Sequence, residues 1–202
     1  FRPYGDELFY LQELKRMYID EEKQQELFAK YNTPKHVQRH CNEVARVSVL
    51  IAEGLNERGF ELNIEELRGA ALVHDVLRTE KDHDRLGAEV LMNMKLPREA
   101  ELVRRHMTYH PFNHADRFEE IDVLCLADRL VKEDCYVGLD ERMQYLIDKP
   151  GKTPERTERI LMAKAHTQDI IDELEVVLGM TLEQLCGRAS SKASNHQDKV
   201  SR

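Results

Sequence analysis

The chain has no Trp, and only six Phe and seven Tyr among its 202 residues, so its interior must be built mainly from aliphatic side chains. No apolar run approaches the ~20 residues that a membrane-spanning helix needs. The four cysteines, Cys41, Cys125, Cys135 and Cys186, include no CxxC pair. That spacing argues against a zinc knuckle or a disulfide framework, and the expectation is reduced, mostly buried thiols. A Gly-rich phosphate loop and an internal repeat are both missing. Positive charge is in deficit: 30 Lys and Arg against 38 Asp and Glu leave a formal charge of -8. A broad face for duplex nucleic acid is thereby excluded, although a local basic pocket for a small anion is not. The opening "FRPYGDELFY" has neither a charged n-region nor an apolar h-region, so the expectation is a cytoplasmic protein without membrane contact. A first residue of Phe rather than Met leaves room for a preceding domain.

What is present is helical patterning. Hydrophobic residues at 41% and charged residues at 34% suit a compact domain with a well-solvated surface. Leu8, Leu11 and Leu14 recur at helical spacing between Glu7 and Met17, and a second short helix spans Asp20 to Tyr31; both read as peripheral. Thr33-Pro34 opens a long helix, the hydroxyl capping and Pro taking the first position. Its apolar stripe of Val37, Cys41, Val44, Val47 or Ser48, Ile51 and Leu55 ends near Gly59. Asn63 with Glu66 resembles a capping box and starts a helix that delivers His74 and Asp75 at its end. "DHDRLGAEVLMNM" and the Pro97-led "REAELVRRHM" make two more helices. "TYHPFNHADRFEE" is a Pro-broken loop, and "IDVLCLADRLV" is an apolar run carrying Asp128. Thr153-Pro154 opens a last long helix closed by Gly179, and Thr181 with Gln184 caps a short final one. The fold class is all-α, with a main domain over 33–187 between peripheral helices in 1–32 and a disordered tail at 188–202.

Chemistry-bearing residues fall on these helices. His40 lies beside the long stripe, His74-Asp75 ends a core helix, and Asp128 sits among hydrophobes. A carboxylate buried in "VLCLADRLV" is costly unless paired, hydrogen-bonded or bound to a cation. One reading is a divalent transition metal held by His40, His74, Asp75 and Asp128. The other is packed histidines and an Asp128 salt bridge to Arg129 or another base, and the residues alone leave the two balanced.

Order and context tip the balance. "RHCNEVARVSVLIAEGL", "AALVHDVLR", "DHDRLGAEVL", "LVRRHM" and "LCLADRLVKED" follow one another as in the HD-domain superfamily of metal-dependent phosphohydrolases, which the chain resembles over about residues 34 to 180. That family's series of a His, a His-Asp doublet and a distal Asp on a helical bundle falls on His40, His74-Asp75 and Asp128. Further histidines of many members match His83 and His106, which implies a second ion. "ADRLVKEDCYVGLDERM" and "LGMTLEQL" are most similar to HD modules found alone or fused behind MobA-like nucleotidyltransferases, so a fused or separate nucleotidyltransferase is an implied partner.

The resemblance implies a metal-dependent phosphohydrolase. One or two ions of Mn, Fe, Co, Ni or Zn on His40, His74, Asp75, His83, His106 and Asp128 would activate water against a phosphomonoester or phosphodiester, a nucleotide for preference. Asp75 would bridge the ions. Arg78 stands where the common HDIGK version has Lys, and with Arg105 it would neutralise phosphoryl charge. His106 is followed by Met107 rather than a second His, leaving His110 as a substitute ligand. His36, His114, His166 and His196 have no matching context and read as structural or solvent-facing. The pocket walls are expected from the "TYHPFNHADRF" segment and the helix after Asp128. Two alternatives share the ligands: a di-iron oxygenase of HD fold, for which the lysine-bearing segment after the fifth ligand is missing, and a non-catalytic nucleotide-binding regulatory module.

Overall fold

In the computed structural model, residues 18–107, 111–151 and 153–187 are described. The expected helix at Glu7 to Met17, the tail from 188, His110 and His196 lie outside them. Helix α1 (Glu21–Lys30) begins at Asp20, whose carboxylate accepts the Lys23 N–H at 2.8 Å, with Glu21 and Glu22 at the positive end of the helix dipole. Helix α2 (Lys35–Asn56) buries the face that its apolar spacing predicts, from Val37 through Cys41, Val44 and Val47 to Ile51 and Leu55. The chain turns away at Gly59, where φ is +93°.

The opening of α2 departs from the sequence reading. Thr33 does not cap it; Pro34 occupies the cap position, and the Thr33 hydroxyl instead donates to the Val76 carbonyl at 2.6 Å. A long-range acceptor wins here because Thr33 is buried against the turn that follows the His-Asp doublet. Helix α3 (Ile64–Val73) has half of its expected capping box. Asn63 Oδ1 accepts the Glu66 N–H at 3.2 Å, but the Asn63 N–H goes to Glu120 at 2.6 Å rather than to Glu66.

Helices α4 (His83–Asn93) and α5 (Pro97–Arg105) form an antiparallel pair joined by a tight turn. Gly87 permits their approach: a Cβ there would lie 3.1 Å from Val103. After a 3₁₀ turn (Ala115–Arg117), α6 (Glu120–Leu130) starts with a complete capping box of Glu119 and Asp122. Strands β1 (Val131–Lys132) and β2 (Cys135–Tyr136) form a two-residue hairpin, followed by α7 (Gly138–Asp148), α8 (Pro154–Leu178) and α9 (Leu182–Cys186). The hairpin and α7 were not expected from periodicity.

Helix α2 is the axis of the bundle. It packs on α3 and α6, while α5 covers α3, α7 lies against α6 and α8, and α9 returns to α2. Ile51, Leu55, Leu67, Leu124 and Leu126 are fully buried between these helices. At roughly 1.5–3 kcal/mol for each such side chain, this junction dominates the burial energy. Helices α2, α3, α5 and α6 each also bring a histidine or an aspartate to one end of the bundle. The fold is all-α apart from the small hairpin.

Candidate metal centre

Six side chains converge. His40 comes from the second turn of α2, His74 and Asp75 from the end of α3, His83 from the first residue of α4, His106 from the end of α5 and Asp128 from the last turn of α6. They form two groups whose donor atoms lie within 4.8 Å of one another: His40, His74 and Asp128, and Asp75, His83 and His106. The rings of His40 and His74, of His74 and His106, and of His83 and His106 sit 5.5, 5.2 and 5.5 Å apart in edge contact.

The backbone sets which nitrogen faces inward. His40, His74 and His106 place Nδ1 at 2.9, 2.8 and 2.6 Å from the carbonyls of Glu133, Ala71 and Val103. A carbonyl only accepts, so each Nδ1 carries the proton and donates. In a neutral ring Nε2 then keeps its lone pair, the state a metal-ligating histidine requires. His83 also turns Nε2 inward, where it lies 3.1 Å from Asp75 Oδ1 and 2.9 Å from Arg78 Nη1, which can only donate. The end of α3 is secured in turn. Gln24 of α1 donates to the Leu72 carbonyl at 2.7 Å and Thr33 to that of Val76, which satisfies orphan carbonyls flanking the doublet.

Burial and charge act against each other here. His74 is 1% exposed, and burial draws its pKa down to about 4. Burial alone would push the Asp75 carboxyl up, but His74, His106, His83 and Arg78 outweigh it and hold the group well below the usual range. Asp128 is likewise lowered against burial, by His40, whose Nε2 lies 2.8 Å from Asp128 Oδ1. His40 itself is raised because Asp128 and Asp75 overcome its desolvation. A cation shared by His40 and Asp128 would take the place of a proton between them.

The residues fit divalent ions. His74 Nε2, His106 Nε2 and Asp75 Oδ1 are buried and make no directed hydrogen bond, although Asp75 Oδ1 lies 3.1 Å from His83 Nε2 and 3.5 Å from His106 Nε2. Without a cation, protons shared between these imidazoles and Asp75 offset the cost of burying them together, and a divalent ion would take the place of those protons. Imidazole with carboxylate is a donor set for Mn, Fe, Co, Ni or Zn.

A depression of about 130 Å³ opens onto this cluster, walled by His36, Arg78, Glu133, Arg142, Tyr145 and Lys149. Arg78 leans over it, with Nε 3.5 Å from Asp75 Oδ2. His36 thus lies at the mouth rather than in an unrelated position. The helix after Asp128 was expected as a wall and α7 supplies one, but the individual residues Arg142 and Tyr145, with Lys149 just past its end, follow no motif and were not singled out. Several sequence expectations take a different place. Arg105 lines a separate depression with Glu66, Arg98 and Glu101. Asp128 meets His40 and, at 3.9 Å, Arg142, whereas Arg129 stacks on Phe112 and donates to Thr167. Among its described residues, the segment expected to wall the pocket turns elsewhere: Phe112 stacks on Phe118, and His114 pairs with Glu173 on the surface. His166 is exposed. Cys135 is exposed, and the other three cysteines are buried and free. No helix among the described residues is long and apolar enough to cross a membrane.

The comparison with protein families matches residues 37–133 to the HD domain, a span that runs from the start of α2 to the hairpin and contains all six converging residues. No curated protein and no solved structure matches the chain.

Proposed function

The chain belongs to the HD-domain superfamily, and on that premise we propose that it is a metal-dependent phosphohydrolase acting on a phosphomonoester or phosphodiester, a nucleotide for preference. The observation that carries the reading is the pair of adjacent donor groups, His40, His74 and Asp128 beside Asp75, His83 and His106. Three of their four histidines, His40, His74 and His106, are held by backbone carbonyls with Nε2 turned inward. A divalent cation supplies Lewis acidity toward a phosphoryl oxygen and lowers the pKa of water.

The protein's own part is placement. Asp75 stays ionised and faces both groups, with Oδ2 3.8 Å from His74 Nε2 and Oδ1 beside His83 and His106, so one carboxylate serves the two. Arg78 offers a planar fork at the mouth, suited to phosphoryl oxygens on which charge builds as water's oxygen bonds to phosphorus and the ester P–O bond breaks. One proton of the water goes to the departing oxygen and the other to solvent. The depression opens from His40 and Asp75 at its floor to solvent past Arg78, so a phosphoryl group can reach the cluster while the rest of the ester stays at the mouth.

Elemental analysis of the purified protein, followed by phosphate release from a nucleotide panel, tests the reading. One or two Mn, Co, Ni or Zn per chain with turnover is the expected result. Two irons per chain with oxygen consumption would favour the oxygenase alternative. Failure to take up any metal on reconstitution would overturn the assignment.

A further inference from the structure

The wall opposite Arg78 is built differently from the cluster below it. Three cations surround one aromatic ring on and beside α7: Lys149 Nζ is 4.6 Å, Lys132 Nζ 5.2 Å and the Arg142 guanidinium 5.8 Å from the centroid of Tyr145. Lys132 is matched by Glu141 at 2.9 Å. Arg142 has one carboxylate within reach, Asp128 at 3.9 Å, and its Nε is buried without a partner. Among the described residues no carboxylate pairs with Lys149. Glu133, on the same rim, is the one surface carboxylate that lines the depression. In a chain of net charge -8, this mouth carries Arg78, Arg142 and Lys149 against the single surface carboxylate Glu133.

Arg142 reaches Asp128 of the cluster at 3.9 Å, but Lys149 and Tyr145 touch neither of its carboxylates, Asp75 or Asp128. The exposed Lys149 ammonium and the largely buried Arg142 guanidinium meet on one ring face, an arrangement that can receive an anion of more than one charge.

We propose that Arg142, Tyr145 and Lys149 form a second anion subsite beside the metal centre, which takes a phosphate of the substrate other than the one hydrolysed. The preferred substrate then carries two phosphoryl groups, as a nucleoside diphosphate or a sugar bisphosphate does. This rests on the phosphohydrolase reading for its consequence in turnover, but the binding it requires can be measured without turnover. Tyr145 is a positioning residue: its ring face holds the Lys149 ammonium toward the mouth.

The test is calorimetric titration of the metal-loaded protein with inorganic pyrophosphate and, separately, orthophosphate, with metal content measured on each sample. Wild type is expected to bind pyrophosphate roughly tenfold more tightly than orthophosphate, the difference that one well-placed charged contact supplies. Lys149→Met should collapse that ratio to near one with metal content unchanged, and Lys149→Glu should invert it. Tyr145→Leu should weaken pyrophosphate binding severalfold without altering the metal. An equal ratio in wild type and in the Lys149 variants overturns the subsite. Phosphate ester hydrolysis with no pyrophosphate preference would reject the subsite alone. A pyrophosphate preference that depends on Lys149, without hydrolysis of any ester, would reject the enzyme reading and retain the subsite.

Discussion

Asp75 and Glu99 are both buried carboxylates, 7% and 2% exposed, and each keeps one oxygen without a directed hydrogen bond. Their surroundings differ. Asp75 lies among His74, His83, His106 and Arg78, which hold its carboxyl well below the ordinary range despite burial. Glu99, in the first turn of α5, is pushed up by burial, and its charged neighbour of note is a second carboxylate, Glu66. Desolvation alone therefore does not mark a site; an acid surrounded by imidazoles and a guanidinium does. Near Glu99 no imidazole or thiol is grouped with it as a metal-binding set among the described residues.

The largest effect should come from removing the better-supported acid. Asp75→Ala is expected to abolish metal retention and to lower hydrolysis by a factor on the order of 10³ or more, with helical content unchanged by circular dichroism. Retained metal in that variant would dissolve the contrast with Glu99. Next in size is chelation. If metal is bound at about a hundredfold above its Kd, its loss costs about 2.7 kcal/mol and lowers Tm by roughly 5–10 °C for a domain this large. Thermal melts with and without chelator should show that drop in wild type and in Glu99→Gln, but not in Asp75→Ala.

Thr33→Val keeps the shape of a buried side chain while deleting the hydroxyl that donates to the Val76 carbonyl. The expected loss is about 1 kcal/mol in denaturant unfolding, since an acceptor beside the doublet is left unpaired. The smallest effect belongs to Glu99. Its folded-state pKa is raised, so near neutral pH the charge is borne at a cost, and the folded form binds a proton first as pH falls. Glu99→Gln should thus be more stable than wild type by roughly 0.5 kcal/mol at pH 7, an advantage that fades as pH drops through the Glu99 pKa toward 4.5. A constant difference across that window would mean that Glu99 does not titrate as the buried, unpaired group it resembles.

Much of the scaffold was legible because its signals are local. The stripe from Val37 to Leu55, the Thr153 and Thr181 caps and the left-handed stops at Gly59 and Gly179 each follow from a few neighbouring residues. The six converging residues were reached through the order of motifs, and the structure brings them together at one end of the bundle. What escaped depends on distance in the chain. The hairpin turns at Glu133 with φ of +54° and without the Gly or Asn that signals such a turn. It is held instead from α2, by Arg39 on Asp134 at 2.9 Å and by Glu43 accepting the Tyr136 N–H at 3.0 Å. Thr33 looked like a cap because its partner, Val76, is 43 positions away. Arg129 looked like the natural companion of Asp128, yet α6 turns adjacent side chains to different faces, and Arg142 from α7 takes that place.

The acceptors that orient His40, His74 and His106 are the main-chain carbonyls of Glu133, Ala71 and Val103. A carbonyl is identical whatever side chain stands beside it, so no single substitution at those three positions can delete the acceptor as a chemical group. Mutation can disturb it only by bending the chain, which makes this part of the apparatus heritable as a path through space rather than as letters. At the exposed Glu133, with φ of +54°, drift to Gly or Asn is accordingly expected to be cheap and drift to a β-branched residue costly, whereas the fully buried Ala71 answers to volume.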